Sequence, residues 1–62
     1  MFYVFIEFDG DFGRNRMTRG FTTAEAREEW ASQQQPCEGE EWSDYEEWEA
    51  PLSEWPHVRI LA

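Results

Sequence analysis

The sequence contains no lysine, and its five basic residues are all arginines, against fourteen aspartates and glutamates. The formal net charge is −9 at pH 7. Proteins bind nucleic-acid backbones largely because Lys and Arg side chains replace counterions, and this chain has few cations to offer. An anionic membrane surface repels it for the same reason. The composition therefore predicts a protein that contacts neither nucleic acid nor a membrane directly.

Cysteine and histidine are also scarce, with Cys37 and His57 as the single examples of each. A lone cysteine forms no internal disulfide and does not supply the four ligands of a structural zinc site. Pairing of Cys37 with His57 as nucleophile and base is the one enzymatic arrangement to consider. Three acidic neighbours, Glu38, Glu40 and Glu41, disfavour the thiolate that this chemistry needs. We expect a protein that is not an enzyme and uses no cofactor.

A calcium loop is the metal site that the sequence comes nearest to, because Asp9 and Asp11 alternate as in an EF-hand. The pattern then fails. Its fifth and sixth positions are Gly13 and Arg14, and the twelfth is Gly20, where a bidentate glutamate is required. We interpret this segment as a hairpin turn and predict no metal site.

Long apolar runs are absent as well. The longest, residues 1–6, is far shorter than the roughly 20 residues that span a bilayer. The chain also starts without the basic leader and small-residue cleavage site of a secretory signal. We expect a cytoplasmic protein.

Aromatic residues, by contrast, are abundant: five Phe, two Tyr and four Trp make up 18% of the chain. Disordered acidic chains are poor in aromatics, and each of these side chains buries about 150–250 Å² when it packs. The sequence therefore predicts a folded chain, organised as one acidic domain over residues 1–62.

The first twenty residues are typical of a β-hairpin. Residues 1–8 are aromatic and β-branched on both faces, which predicts a strand covered on both sides or central in a sheet. Residues 9–13 contain the Asp and Gly of a reversal, and residues 14–21 form a second, more polar antiparallel strand. A helix follows. Thr22 and Glu25 have the spacing of a capping box, Ala26 and Trp30 share one face, and the helix ends before Pro36.

The remaining segment has an aromatic stripe. Trp42, Tyr45, Trp48, Leu52 and Trp55 are spaced by three or four residues, which favours a helical face. A second capping box at Ser43 and Glu46 with a stop at Pro51 predicts a short helix or helical turn over residues 43–50. A loop through Pro51 and Pro56 and a final strand over residues 57–61 complete the chain. The fold class is therefore α+β: an N-terminal hairpin, one main helix, a short second helix and a C-terminal strand, in a three-stranded, mainly antiparallel sheet.

Charge is concentrated towards the C-terminus. Residues 38–62 carry eight acids against the single cation Arg59, and a charge run of this density is the candidate functional feature. On the predicted helix, Trp42, Tyr45 and Trp48 face the core and the acids project outward as a fixed array. The predicted partner-binding residues are Glu38, Glu40, Glu41, Asp44, Glu46, Glu47, Glu49 and Glu54. Their partner is expected to be a basic nucleic-acid-binding protein, since charge complementarity speeds association and sets specificity.

The segment Glu38-x-Glu40-Glu41-Trp42-Ser43-Asp44-Tyr45-Glu46-Glu47-Trp48-Glu49, with the small size and acidity of the chain, resembles the DNA-mimic inhibitors that phages make against host defence, anti-CRISPR and anti-restriction proteins. The resemblance implies a non-enzymatic phage protein acting in the host cell cytoplasm. It also implies that the acidic surface occupies the DNA-binding site of a CRISPR effector subunit or a similar protein.

An alternative function starts from the aromatic residues. The chain is then a protein–protein interaction or dimerisation module, and its acidity serves only solubility. The doubly apolar first strand lies at a homodimer interface in this reading, and Trp48, Trp55 or both contact a partner. The sequence leaves open whether these two tryptophans belong to the core or to an interface.

Overall fold

A computed structural model describes residues 1–55 and 57–61. Along the chain the elements are β1 (Phe2–Gly10), β2 (Gly13–Phe21), α1 (Ala24–Ser32), β3 (Glu40–Glu49), a 3-10 turn (Leu52–Glu54) and β4 (Arg59–Ile60). The strands form one sheet in the order β3-β1-β2-β4. The β1–β2 and β1–β3 pairs are antiparallel, and the β2–β4 pair is parallel. The predicted α+β class is confirmed.

The N-terminal hairpin forms as predicted. Gly10 pairs with Gly13, so two residues, Asp11 and Phe12, make the turn. Gly13 has a φ of 118°, a conformation that costs glycine little and other residues much. Phe12 lies fully exposed at the tip. The strongly apolar β1 is central, as its two apolar faces predicted, because β2 and β3 flank it.

Helix α1 covers one face of the sheet, which we call the helix face. Val4, Ile6, Phe8 and Phe21 form the buried cluster on this face, with Ala26, Trp30 and Ala31 of α1 packed against it. The helix begins one residue later than predicted. The cap is Thr23, whose hydroxyl accepts a hydrogen bond from Ala26 N at 3.2 Å, so the Thr22–Glu25 capping box is wrong.

The short second helix over residues 43–50 is also wrong, because this segment is the strand β3. Gly39, with a φ of 86°, turns the chain into the strand. A β-bulge in β3, opposite the Glu7–Phe8 step of β1, leaves Ser43 without a register partner. Trp42 and Tyr45 consequently share a face despite their spacing of three, which is the spacing that imitates a helix.

The sheet therefore has four strands rather than the predicted three. The C-terminal strand is present, but only as the two residues of β4, which pair with Arg19 and Gly20 of β2. The only short helical element among the described residues is the 3-10 turn that follows β3. That turn lies within the predicted loop, of which Pro56 falls outside the described residues.

The face opposite α1, which we call the open face, is covered only at one end. There Tyr3 is fully buried, stacked on Trp48 at a ring-centroid distance of 5.5 Å and tilted against Trp55 at 6.1 Å. Tyr3 is therefore sealed within its own chain, whereas Phe5, on the same face of β1, is only partly buried. The placement of the first strand at a homodimer interface stays a prediction.

Candidate protein-binding edge

The strand β3 lies at one edge of the sheet and contains six of the eight predicted partner-binding residues. We call these six carboxylates the acidic edge: Glu40, Glu41, Asp44, Glu46, Glu47 and Glu49. The other two lie outside the strand, Glu38 in the turn that precedes it and Glu54 in the 3-10 turn that follows it.

The six carboxylates divide equally between the two faces of the sheet. Residues opposite each other in an antiparallel pair share a face, so the register places Glu40, Glu47 and Glu49 on the helix face. Glu41, Asp44 and Glu46 lie on the open face. The expectation that the aromatics face the core while the acids project from the opposite side is therefore wrong. The charges follow one edge instead of covering one face.

The linear density of negative charge along the acidic edge is lower than that along DNA. A strand rises about 3.3 Å per residue, so six carboxylates in ten residues give one charge per about 5–6 Å. Each DNA strand carries one charge per about 3.4 Å of axis. The edge offers a comparable linear array with about two thirds of the charge density.

Half of the acidic edge is engaged within the domain. Glu47 accepts a hydrogen bond from Tyr45 Oη and pairs with Arg27 Nη2 at 3.3 Å. Glu40 Oε1 accepts from Cys37 N at 3.0 Å, and Asp44 Oδ1 accepts from Tyr45 N at 2.8 Å.

The other three carboxylates are available for a partner. Among the described residues, Glu41, Glu46 and Glu49 have no side-chain hydrogen bond or ion pair. All three side chains are exposed.

The pKa of Tyr45 lies above its ordinary range beside this edge, first because the residue is partly buried and then because of its acidic neighbours. Partial burial, the hydrogen bond to Glu47 and the nearby charges of Glu47 and Glu28 raise the pKa of Tyr45 to about 12. An ionised phenolate there would stand against two carboxylates, so the neutral hydroxyl is favoured.

Four of the five arginines lie on the other half of the sheet. Arg14, Arg16 and Arg19 belong to β2, and Arg59 belongs to β4. Because β1 separates β2 from β3, the sheet has a basic side and an acidic edge. Only Arg27, on α1, forms an ion pair with a β3 carboxylate among the described residues.

A second acidic feature, which sequence reasoning missed, lies on the open face. Glu7 is 9% exposed, accepts a hydrogen bond from Arg16 Nε at 2.6 Å and another from Ser43 Oγ at 3.0 Å. These two donors, Arg16 foremost, lower the pKa of Glu7. Ser43 therefore holds a carboxylate in place and does not cap a helix. The pairing of Glu7 with Arg16 follows from the hairpin register, which was the available signal.

The aromatic residues of β3 also divide between core and surface. Trp48 is half-buried against Tyr3, and Trp55, which is 40% exposed, packs on Trp48 at 5.2 Å between ring centroids. On the helix face, Trp42 and Tyr45 are 48% and 42% exposed. The ring of Trp42 packs edge-on against Phe8 at 4.7 Å.

The Cys–His dyad and the metal site that the sequence raised are not assembled in residues 1–55 and 57–61. Cys37 is exposed next to the hairpin end of the sheet, whereas His57 precedes β4 at the opposite end, so the two do not form a dyad. No group of three or more His, Cys, Asp or Glu side chains in this part of the chain is placed to hold a metal ion. That the protein is not an enzyme stays a prediction.

Helix α1, with nine residues, is the longest helix in the described part of the chain. No helix there combines the length and the apolar character needed to cross a membrane. Comparisons with protein-family models, with curated proteins and with solved structures find no match to this chain.

Proposed function

We propose that this domain is a non-enzymatic inhibitor that binds a basic nucleic-acid-binding protein through its acidic edge and so excludes nucleic acid from that protein. The observation that supports the proposal is the separation of charge across the sheet. Six carboxylates lie on β3, while four of the five arginines lie on β2 and β4.

Such an edge is complementary in charge to a protein site that binds a phosphate backbone. Its field attracts and orients a basic partner over distances of about 8–10 Å at physiological salt, and attraction of this kind raises association rates. The strand is fixed by its pairing with the central β1. Little conformational entropy is then lost when a partner binds, which favours affinity.

The resemblance to phage DNA-mimic inhibitors extends the proposal to a target class. We assign the partner to the DNA-binding enzymes of host defence, with a CRISPR effector subunit as the first candidate, and the site of action to the host cytoplasm. Bound there, the domain would block DNA by occupying its site, which needs no catalytic group.

The test compares two variants with the same charge. The first replaces the three available edge acids (Glu41→Gln, Glu46→Gln, Glu49→Gln). The matched control replaces three exposed acids elsewhere (Asp11→Asn, Glu25→Gln, Glu29→Gln). Each carries a net charge three units less negative, and neither change removes a side-chain hydrogen bond or ion pair of the described residues.

Immobilised wild-type and control proteins should capture the same basic protein from a cell extract at low salt and release it when duplex DNA is added. The edge variant should capture at least tenfold less. Equal capture by all three proteins, or capture that duplex DNA does not reverse, would contradict the proposal.

A second candidate function is favoured by the exposed aromatic side chains. Phe12 at the hairpin tip and Trp42 and Tyr45 on β3 present apolar surface of the kind that anchors protein interfaces. If these residues dominate, partner binding changes little between low and high salt. It is then lost in Trp42→Ala rather than in the edge variant.

A further inference from the structure

The outer side of β3 is an open sheet edge. The strand pairs with β1 on one side, and no described residue pairs with it on the other. Open edges of this length template the addition of another strand, since their amide and carbonyl groups lack partners. Natural proteins use this route to bind extended peptides.

The hydrogen bonds at the end of the sheet show which backbone groups point outward. Ala50 exchanges two bonds with Met1, through Ala50 N and Met1 O and through Met1 N and Ala50 O, each at 3.1 Å. Residues in an antiparallel strand alternate between inward and outward bonding. Trp48, Glu46 and Asp44 therefore bond inward to β1, and Tyr45, Glu47 and Glu49 direct their amides and carbonyls outward.

A contact at Tyr45 agrees with this alternation. Tyr45 N donates to the side chain of its neighbour Asp44 at 2.8 Å, as expected of an amide that has no strand partner. The register from Asp44 to Glu49 is regular, with the bulge beyond it. The template is thus six residues, or about 20 Å, long.

Side chains beside this template select the partner by charge. Two carboxylates flank it on each face: Asp44 and Glu46 on the open face, Glu47 and Glu49 on the helix face. A second copy of the same edge would bring these carboxylates against their equivalents, and such like-charge pairs are destabilising. A strand with Arg or Lys on both faces would meet opposite charges throughout.

A shallow pocket of about 220 Å³, lined by Glu46, Glu47, Trp48 and Trp55, adjoins the same stretch. The two indole rings are inclined by 58°. An indole face beside carboxylates favours a guanidinium group, which stacks on aromatic rings as well as pairing with anions.

We propose that an extended basic segment of a partner protein adds to β3 as a fifth strand, pairs with the outward amides and carbonyls of residues 45–49, and seats an arginine against Trp48 and Trp55. This inference rests on the proposed function, because it specifies how the acidic edge meets its basic target. It goes further by requiring backbone pairing as well as charge.

Two synthetic peptides of equal charge test the proposal on the intact domain. The first is an eight-residue peptide in which pairs of arginines alternate with pairs of valine or threonine, so that arginines lie on both faces of the strand. The second is the same peptide N-methylated at every internal amide. The first should bind and slow hydrogen exchange of the Glu47 and Glu49 amides at least tenfold. The methylated peptide should bind at least tenfold more weakly.

Binding of both peptides within twofold of each other would overturn strand addition, and so would binding of neither. Protection of the Glu47 and Glu49 amides that rises with protein concentration alone would assign the edge to a second copy and also overturn it. These outcomes do not depend on whether a captured protein is released by duplex DNA, which is the test of the proposed function. Failure of strand addition can therefore be distinguished from failure of the proposed function.

A pair of substitutions gives a second measurement. Glu49→Gln and Glu49→Pro remove the same charge, but only the proline removes the outward amide, at a position where an edge strand tolerates it. The proline variant should bind the unmethylated peptide at least fivefold more weakly than the glutamine variant. Equal binding by two folded variants would contradict strand addition.

Discussion

Arg27 and Glu47 join the helix to the acidic edge, with Nη2 of the arginine 3.3 Å from Oε2 of the glutamate. The same guanidinium donates to the Trp48 carbonyl oxygen through Nη1 at 3.4 Å. Its side chain is only 13% exposed. One cation thus joins α1 to β3, and Glu47 contributes to the packing of the domain through this contact.

Removal of this cation should destabilise the domain. We expect Arg27→Met to lower the free energy of unfolding by about 1.5–3 kcal/mol, the usual range for hydrogen bonds to charged groups. Arg14→Met makes the same charge change at an exposed residue without an ion pair among the described residues, and should lie within about 0.5 kcal/mol of wild type. Urea denaturation measures both. Equal stability of the two variants would show that Arg27 does not hold the edge.

The ionisation of Tyr45 gives a prediction at alkaline pH. Its pKa of about 12 lies above the ordinary value of 10.0, so folding favours the neutral hydroxyl. The stability contributed by this hydroxyl should be complete below pH 10 and lost as pH rises through 12. An ultraviolet titration should show a phenol ionising near pH 12 that is missing in Tyr45→Phe. A Tyr45 transition near pH 10 would contradict the contact with Glu47.

Glu7 should give the opposite dependence in acid. Arg16 and Ser43 lower its pKa, so the ionised carboxylate stabilises the fold above the ordinary value of 4.5, and this contribution is lost as pH falls through the lowered pKa. Wild type should be more stable than Glu7→Gln at pH 7, and the difference should shrink towards pH 3. The free energies of unfolding of wild type and Glu7→Gln are compared at each pH, because acid also relieves repulsion among the other carboxylates and that effect is common to both proteins. A difference independent of pH would contradict the ion pair.

The close approach at Gly20 predicts a steric effect at the short strand β4. A Cβ atom at this position would lie 2.5 Å from Ile60 Cδ1 and 3.0 Å from Tyr3 Cε1. Gly20→Ala should therefore cost about 1–3 kcal/mol through overpacking. It should also speed exchange of the Leu61 amide, which donates to Gly20 O at 2.9 Å.

The Cβ atom of Gly20→Ala would clash partly with the flexible end of the Ile60 side chain and partly with the buried ring of Tyr3. In an Ile60→Ala background, Gly20→Ala should accordingly cost less, although not zero. An unchanged cost in that background would show that the Ile60 contact is irrelevant.

The hairpin and the helix could be predicted because their signals are local. Asp and Gly mark the turn, and a threonine begins the helix within one residue of the predicted position. The strand β3 could not be predicted from its own pattern. With aromatics at three-residue intervals, a bulge at Ser43 and side chains packed on both faces of the sheet, it imitates a helical stripe.

A signal for β3 did exist elsewhere in the sequence. The doubly apolar β1 needs a strand on each side, the hairpin supplies only one, and the ten residues between Gly39 and Ala50 are rich in Trp and Tyr, which favour strands. The clustering of acids in this segment was visible from composition. Composition did not show which of these carboxylates are free of contacts within the domain. Glu47, for example, is paired with Arg27, which lies twenty positions earlier in the chain.

The proposed function requires that the acidic edge and DNA compete for one site on a basic partner. The most direct measurement is the fluorescence anisotropy of a labelled duplex bound to the captured partner during titration with this domain. We expect the wild-type domain and the charge-matched control to release the duplex completely. The Glu41→Gln, Glu46→Gln, Glu49→Gln variant should need at least a tenfold higher concentration for the same release. A ternary complex in which the domain and the duplex remain bound together would contradict the proposed function.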